Sequence, residues 1–232
     1  MFQSSCKSIR ESLFGIRSSS KKEDGQMTFG TGTGFLIAPN VCVTASHVIH
    51  QNGDWRLPIQ SNLQVIRAPE IGGQMKNAEL IADFPNKDLA FLRIAHTPDV
   101  PVVELSVNER QRGEQVGSLG FPLATMKRFR QQQAFVLIER FQSGFISARY
   151  RENRGGTPLN IIETDTNIYS GSSGCPGFTE DAKVFGLLSA TKTDRSQKGE
   201  AYRLAIAMWI PSIEIIDAAR VSGIREWDTD DF

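Results

Sequence analysis

Short stretches of alternating apolar and polar residues recur along this chain, and turn residues punctuate them. Residues 63–68, 78–83 and 89–95 alternate at the strand period and are separated by Pro, Gly and Asn. Residues 41–44, 115–120, 159–163, 184–190 and 201–210 read as further strands, and 134–140 with 142–149 read as a hairpin pair. Residues 4–14 fit either a short amphipathic helix or a direct run into a strand over 13–18. The polar stretch 18–25 has no apolar period and reads as a turn. Residues 123–133, with Lys127, Arg128 and Arg130, read as a mobile loop, solvated or regulatory, and 151–158 as a second exposed loop. A helical period is clear at 213–221, where Ile213, Ile216 and Ala219 share a face, Pro211-Ser212 caps the start and Gly223 marks the stop. The pattern is that of an all-β protein ending in one helix.

Composition narrows the function classes. The chain has 232 residues, enough for a sizeable core in one or two units, with 40% hydrophobic and 22% charged residues and zero formal net charge. No excess charge points to nucleic acid or an anionic membrane as partner. Near the N-terminus no apolar core of a secretory signal follows Met1-Phe2-Gln3, and no apolar run approaches the ~18 residues of a membrane span. The three cysteines, Cys6, Cys42 and Cys175, form no C-x-x-C pair and are odd in number. Reduced thiols in the cytoplasm are the expectation.

Candidate chemistry centres on Tyr169-Ser170-Gly171-Ser172-Ser173-Gly174-Cys175-Pro176. A serine between glycines suits an acyl-transfer nucleophile, because glycine allows a sharp turn and lets backbone N–H groups converge on a developing oxyanion. The same residues would equally make a plain turn between strands. Two upstream stretches change the balance. Residues 35–49 are two apolar runs ending around His47, and Asn86-Lys87-Asp88 opens an alternating strand. The chain order is therefore His47, Asp88, Ser173, the order of the chymotrypsin fold and not that of the α/β-hydrolases. His47 and His50 stand three apart, yet no H-E-x-x-H or ligand-spaced Cys or carboxylate accompanies them, so neither metal nor cofactor is expected. Gly30, Gly32 and Gly34 lack the Lys-Ser/Thr of a phosphate loop.

On these three motifs the chain, from about residue 28 to 221, resembles the trypsin-like serine peptidases, and within them the bacterial HtrA/Deg branch. The resemblance implies two six-stranded antiparallel β-barrels with the site in their cleft. Residues 1–26 would be a lead-in and first strand, 27–104 the first barrel, 105–114 a crossover, 115–210 the second barrel, 211–223 a C-terminal helix and 224–232 an acidic tail. It implies His47 as general base, Asp88 as its orienting carboxylate, Ser173 as nucleophile, and the N–H groups of Gly171 and Ser173 as an oxyanion hole. Ser189 matches the family serine that supports the aspartate. Asn167 and Ile168 fall near the base of the specificity pocket, with Ser170, Ala190 and Thr191 also substrate-facing. The trypsin aspartate is missing there, and Thr191 narrows a wall, so cleavage after small or medium uncharged residues is expected. Ser172 replaces the aspartate that captures a new N-terminus in digestive trypsins, and Cys175 replaces a glycine on the leaving-group side. No PDZ domain is expected after the helix, unlike HtrA proper. The expected partners are a polypeptide substrate and a regulatory protein, for an effector peptidase. The alternatives are a quality-control peptidase, a catalytically inactive binding module, or an esterase using the same triad.

Overall fold

The computed structural model describes residues 2–67, 75–95, 99–122, 125–129, 132–195 and 201–224, with backbone alone at 125–129, 132–136, 191–195 and 201–205. Helix α1 (Gln3–Glu11) leads into β1 (Leu13–Lys21), which pairs with β2 (Met27–Ala38) from Leu13↔Phe35 to Lys21↔Met27. β3 (Val41–Thr44), helical turn α2 (Ser46–Ile49), β4 (Asn62–Arg67), β5 (Lys76–Asn77), β6 (Glu79–Phe84) and β7 (Leu89–Arg93) complete a curled seven-stranded sheet, in the order β5-β4-β1-β2-β3-β7-β6. An extended crossover leads to β8 (Gln115–Gly120). A small ribbon, β9 (Thr125–Phe129) and β10 (Gln132–Val136), then precedes β11 (Arg140–Arg154), β12 (Thr157–Thr164), β13 (Pro176–Phe178), β14 (Val184–Arg195) and β15 (Ala201–Pro211). β11-β12-β15-β14-β13-β8 close a six-stranded barrel, and helix α3 (Ser212–Val221) follows. The all-β, chymotrypsin-like architecture expected from the sequence is the one observed, with the two-residue β5 added at the edge of the first sheet.

Several elements depart from the sequence pattern for identifiable reasons. Ser18, Ser19 and Ser20 are strand, not turn, and all three are buried. Their hydroxyls find internal partners (Ser18 Oγ donates to Val48 O at 2.6 Å), so a polar run sits inside at little cost. The stretch 123–133 includes most of the β9–β10 ribbon, so it is not simply a loop; β10 pairs with β9 and not with β11. The 151–158 loop is the tip of the long β11–β12 hairpin, where Gly155 and Gly156 take φ of +57° and +86° and close a two-residue turn. At α3, Ser212 Oγ donates to Val184 O (2.7 Å) and caps no helix N–H. The buried face of α3 is Ile215, Ile216, Ala218 and Ala219, whereas Ile213 is exposed. Gly223 ends the helix at φ +71°.

The N-terminal segment ties the halves together. The Phe2 ring, before α1, packs with its centre 5.5 Å from that of Phe141 and, edge to face, 5.9 Å from that of Phe178 of the second barrel, while β1 lies inside the first sheet. One large apolar cluster crosses both units, and a second holds Ile168, Cys175, Phe185 and Trp209. Among the described residues no helix is long and apolar enough to cross a membrane. Trp209 is fully buried, lies 5.4 Å from the Phe185 ring and donates its Nε1–H to Thr164 Oγ1 at 2.9 Å. Trp209→Ala should cost about 3–5 kcal/mol, read as a lower urea midpoint at unchanged slope.

Candidate active site

Asp88 gathers the candidate site. It follows a 3-10 turn, Pro85–Lys87, and sits in the left-handed region at φ +54°, which is strained for a non-glycine residue. Its side chain is almost fully buried. His47 reaches it from the first turn after β3: the backbone N–H of His47 donates to Oδ1 at 3.0 Å, and Nδ1 lies 3.0 Å from both carboxylate oxygens. Ser189, on β14 of the second barrel, donates to Oδ2 at 2.6 Å. Lys87 is held by Glu214 of α3 (2.7 Å), whose other oxygen accepts from Asn160 Nδ2 at 2.8 Å. Strain at Asp88 is thus anchored on one side by the second barrel and the C-terminal helix.

Burial disfavours a charged His47, but the Asp88 charge and hydrogen bond together outweigh it and raise the imidazole above its ordinary value. A second histidine pair stands alongside. The buried His50 ring faces Leu57 O (2.6 Å) through Nδ1 and Asp83 Oδ2 (2.8 Å) through Nε2, and Ser46 Oγ donates to Asp83 Oδ1 at 2.6 Å. His47 and His50 therefore serve different carboxylates. His96 lies outside the described residues.

The turn carrying Ser173 is defined by its amides. Ser172 N–H donates to Tyr169 O (3.1 Å) with Gly171 at φ +92°, a type II turn. Gly174 N–H donates to Leu188 O (2.8 Å) and Cys175 N–H to Ser172 O (2.9 Å). The N–H groups of Gly171 and Ser173 donate to no described residue, so two amides two positions apart stay available for an anionic oxygen. Gly174 is required where it is: a Cβ there would lie 2.1 Å from Thr33 O.

His47, Asp88, Ser173, Ser189 and Ala190 line one cavity of about 590 Å³, together with Trp55, Pro85, Asn86 and Arg154. Among the described residues the His47 ring hydrogen-bonds only to Asp88. Of the other residues singled out in the sequence, Ser170 is exposed, and Asn167 is exposed with its carbonyl accepting from Gln142 Nε2. Ile168 is buried in the cluster with Trp209, and Thr191 lies outside the residues whose side chains are described. Cys175 points into that same cluster, and burial pushes its thiol up, as it does that of Cys42. Its side chain therefore does not crowd the cleft. The sequence pattern did not point to Trp55 or Arg154; Arg154 lay in what read as a loop, and only the hairpin register carries it to the cavity. A larger hollow of about 720 Å³ lies behind the second barrel, between the crossover and β11. It contains none of the three residues, and its Arg149 and Arg151 are already tied to Glu109 and Asn160.

The chain is similar to proteins already known. Residues 32–187 match the trypsin-like peptidase domain. The chain is 31% identical over 164 residues to the "Probable periplasmic serine endoprotease DegP-like" of Rickettsia prowazekii (strain Madrid E), covering 68% of this chain and 28% of that protein. It is 26% identical over 199 residues to the "Serine protease Do-like HtrA" of Bacillus subtilis (strain 168), covering 83% and 40%. The chain thus spans well under half the length of these relatives. The crystal structure of the Rv3671c protease from M. tuberculosis, active form, superposes with a TM-score of 0.68 at 18% identity, covering 94% of this chain and 84% of that one, a likeness of fold.

The raised His47 pKa has a definite sign. The folded state favours the charged ring, so the resulting stability is fully present below the ordinary imidazole pKa of about 6.5 and is lost as pH rises through the folded value. An NMR titration should place the His47 midpoint above the ordinary value in the wild type. In Asp88→Asn the midpoint should fall, and the stability difference between the two proteins should shrink as pH rises.

Proposed function

The chain belongs to the trypsin-like peptidase family, and from that footing we propose that it is a serine endopeptidase working through His47, Asp88 and Ser173. The observation that carries the reading is the junction of the three: His47 bonded to a buried Asp88, and Ser173 in the same cavity on a turn with two amides that donate to no described residue. In this mechanism the neutral His47 ring takes the proton of Ser173 Oγ as that oxygen attacks the peptide carbonyl. The carbonyl oxygen becomes an oxyanion and accepts from the N–H groups of Gly171 and Ser173. His47 then gives the proton to the leaving amine, the bond to that amine breaks, and an acyl-enzyme remains on Ser173. Water repeats the sequence and releases the acid. Asp88 keeps Nδ1 protonated, so that Nε2 is the face turned to the nucleophile, and it stabilises the ring while charged. A Ser173–His47 hydrogen bond that forms only with substrate present is consistent with this account.

The finer reading is a cytoplasmic effector that cuts after small or medium uncharged residues and is released by a regulatory partner. All three cysteines are free thiols, which supports a reducing compartment. The periplasmic names of the relatives support the competing, quality-control reading, and cell fractionation separates them. Degradation of casein by the isolated chain would favour quality control. Silence until a partner protein is added would favour the effector.

Ser173→Ala and His47→Ala should each lower kcat roughly ten-thousand-fold or more, and the double variant should lose little beyond either single one, because the pair acts as a unit. The rate constant kcat/KM should fall on the acid side with a midpoint above about 6.5, as His47 gains a proton. A P1-diverse peptide library should be cleaved after small or medium uncharged residues; dominant cleavage after Arg or Lys would reject the specificity.

A further inference from the structure

Thr33 lies on β2 of the first sheet, far in sequence from Ser173, and is fully buried. Two of its four hydrogen bonds nonetheless go to the turn that carries Ser173. The Thr33 N–H donates to Ser173 O at 2.8 Å. The Thr33 hydroxyl accepts from Phe121 N–H at 3.0 Å and donates to Gly171 O at 3.2 Å. Thr33 O accepts from Thr44 Oγ1 at 2.7 Å, and Thr44 ends the strand that leads to His47. Thr33 is thus bonded to the carbonyls of Gly171 and Ser173, the two residues whose N–H groups donate to no described residue.

Peptide planes make the consequence definite. The 171–172 plane is gripped at both ends, its C=O by the Thr33 hydroxyl and its N–H by Tyr169 O. The 173–174 plane is gripped at both ends too, its C=O by the Thr33 N–H and its N–H by Leu188 O. Between them lies the 172–173 plane, which carries the Ser173 N–H. Gly171 at φ +92° has little intrinsic preference for this orientation, since glycine crosses between turn types at low cost. Neighbouring contacts must therefore select it.

We propose that Thr33 is a positioning residue for the oxyanion turn: its hydroxyl, held in place by Phe121 N–H, fixes the Gly171–Ser172 peptide and so keeps the Gly171 and Ser173 amides aimed at the oxyanion. The inference rests on the peptidase reading above. It assigns to the first sheet a part in shaping a donor pair that lies wholly on the second barrel. The role belongs to the transition state, where the oxyanion forms, and not to substrate docking.

The test compares wild type, Thr33→Val, Thr33→Ala and Thr33→Ser, assayed well below each variant's melting temperature. Two readouts are taken: kcat and KM on a cleaved peptide, and inhibition by a peptide aldehyde whose hemiacetal oxygen would occupy the oxyanion position. Thr33→Val keeps the shape and loses the hydroxyl; Thr33→Ala is the second hydroxyl-free variant should valine not fold. Both should lose about ten- to hundred-fold in kcat with KM within about twofold, and aldehyde affinity should fall in parallel. Thr33→Ser should retain wild-type kcat to within about threefold. A folded hydroxyl-free variant with wild-type kcat and aldehyde affinity would overturn the proposal, as would a serine variant as impaired as valine. A wild type that turns over no peptide overturns the peptidase reading itself, and the role of Thr33 falls with it.

Discussion

A carboxylate taken out of water has to be met by donors, and Asp88 is met by three: the His47 amide, the His47 ring and the Ser189 hydroxyl. Two of these come from the first sheet and one from the second barrel, so the burial of one side chain requires both halves to be docked. The requirement reaches further through backbone strain. Asp88 stands at φ +54°, and its neighbour Lys87 is anchored to Glu214 and through it to Asn160. The C-terminal helix therefore belongs to the site's support even though it contributes nothing to the cavity.

The Ser173 turn depends on the same docking from the opposite direction. Its free amides lie on the second barrel, while the carbonyls behind them are held by Thr33 of the first sheet. Gly174 and Gly32 make the approach possible: a Cβ on the first would meet Thr33 O, and on the second Ser173 O at 2.9 Å. His47 and Ser173 are thus brought to one cavity by two interlocked contacts, Asp88 with Ser189 and Thr33 with the turn. Each uses groups from both halves, so neither half holds the arrangement alone.

Much of this was legible in the sequence, for a physical reason. Strands with one buried face write their alternation into the chain, and the short motifs at His47, Asp88 and Ser173 are local. The fold class, strands 62–67, 79–84 and 89–93 and the final helix followed from that. What could not be read depended on partners distant in sequence. Ser18 to Ser20 looked like a turn because serine carries no apolar signal; their burial is possible only because carbonyls such as Val48 O and hydroxyls such as that of Ser61 lie opposite. Arg154 reached the cavity through hairpin register. Thr33 was hidden inside a glycine-rich strand whose glycines drew attention first. Cys175, which the resemblance set on the leaving-group side, is buried in the core cluster with Trp209.

The central claim is that Ser173 is an assembled nucleophile activated by His47. Reaction with a fluorophosphonate, read by intact mass, tests it with no assumption about substrate. The account predicts one adduct on the wild type, none on Ser173→Ala, and a labelling rate that rises with pH through the His47 midpoint. A folded wild type that takes no adduct, or an adduct that persists in Ser173→Ala, would contradict it.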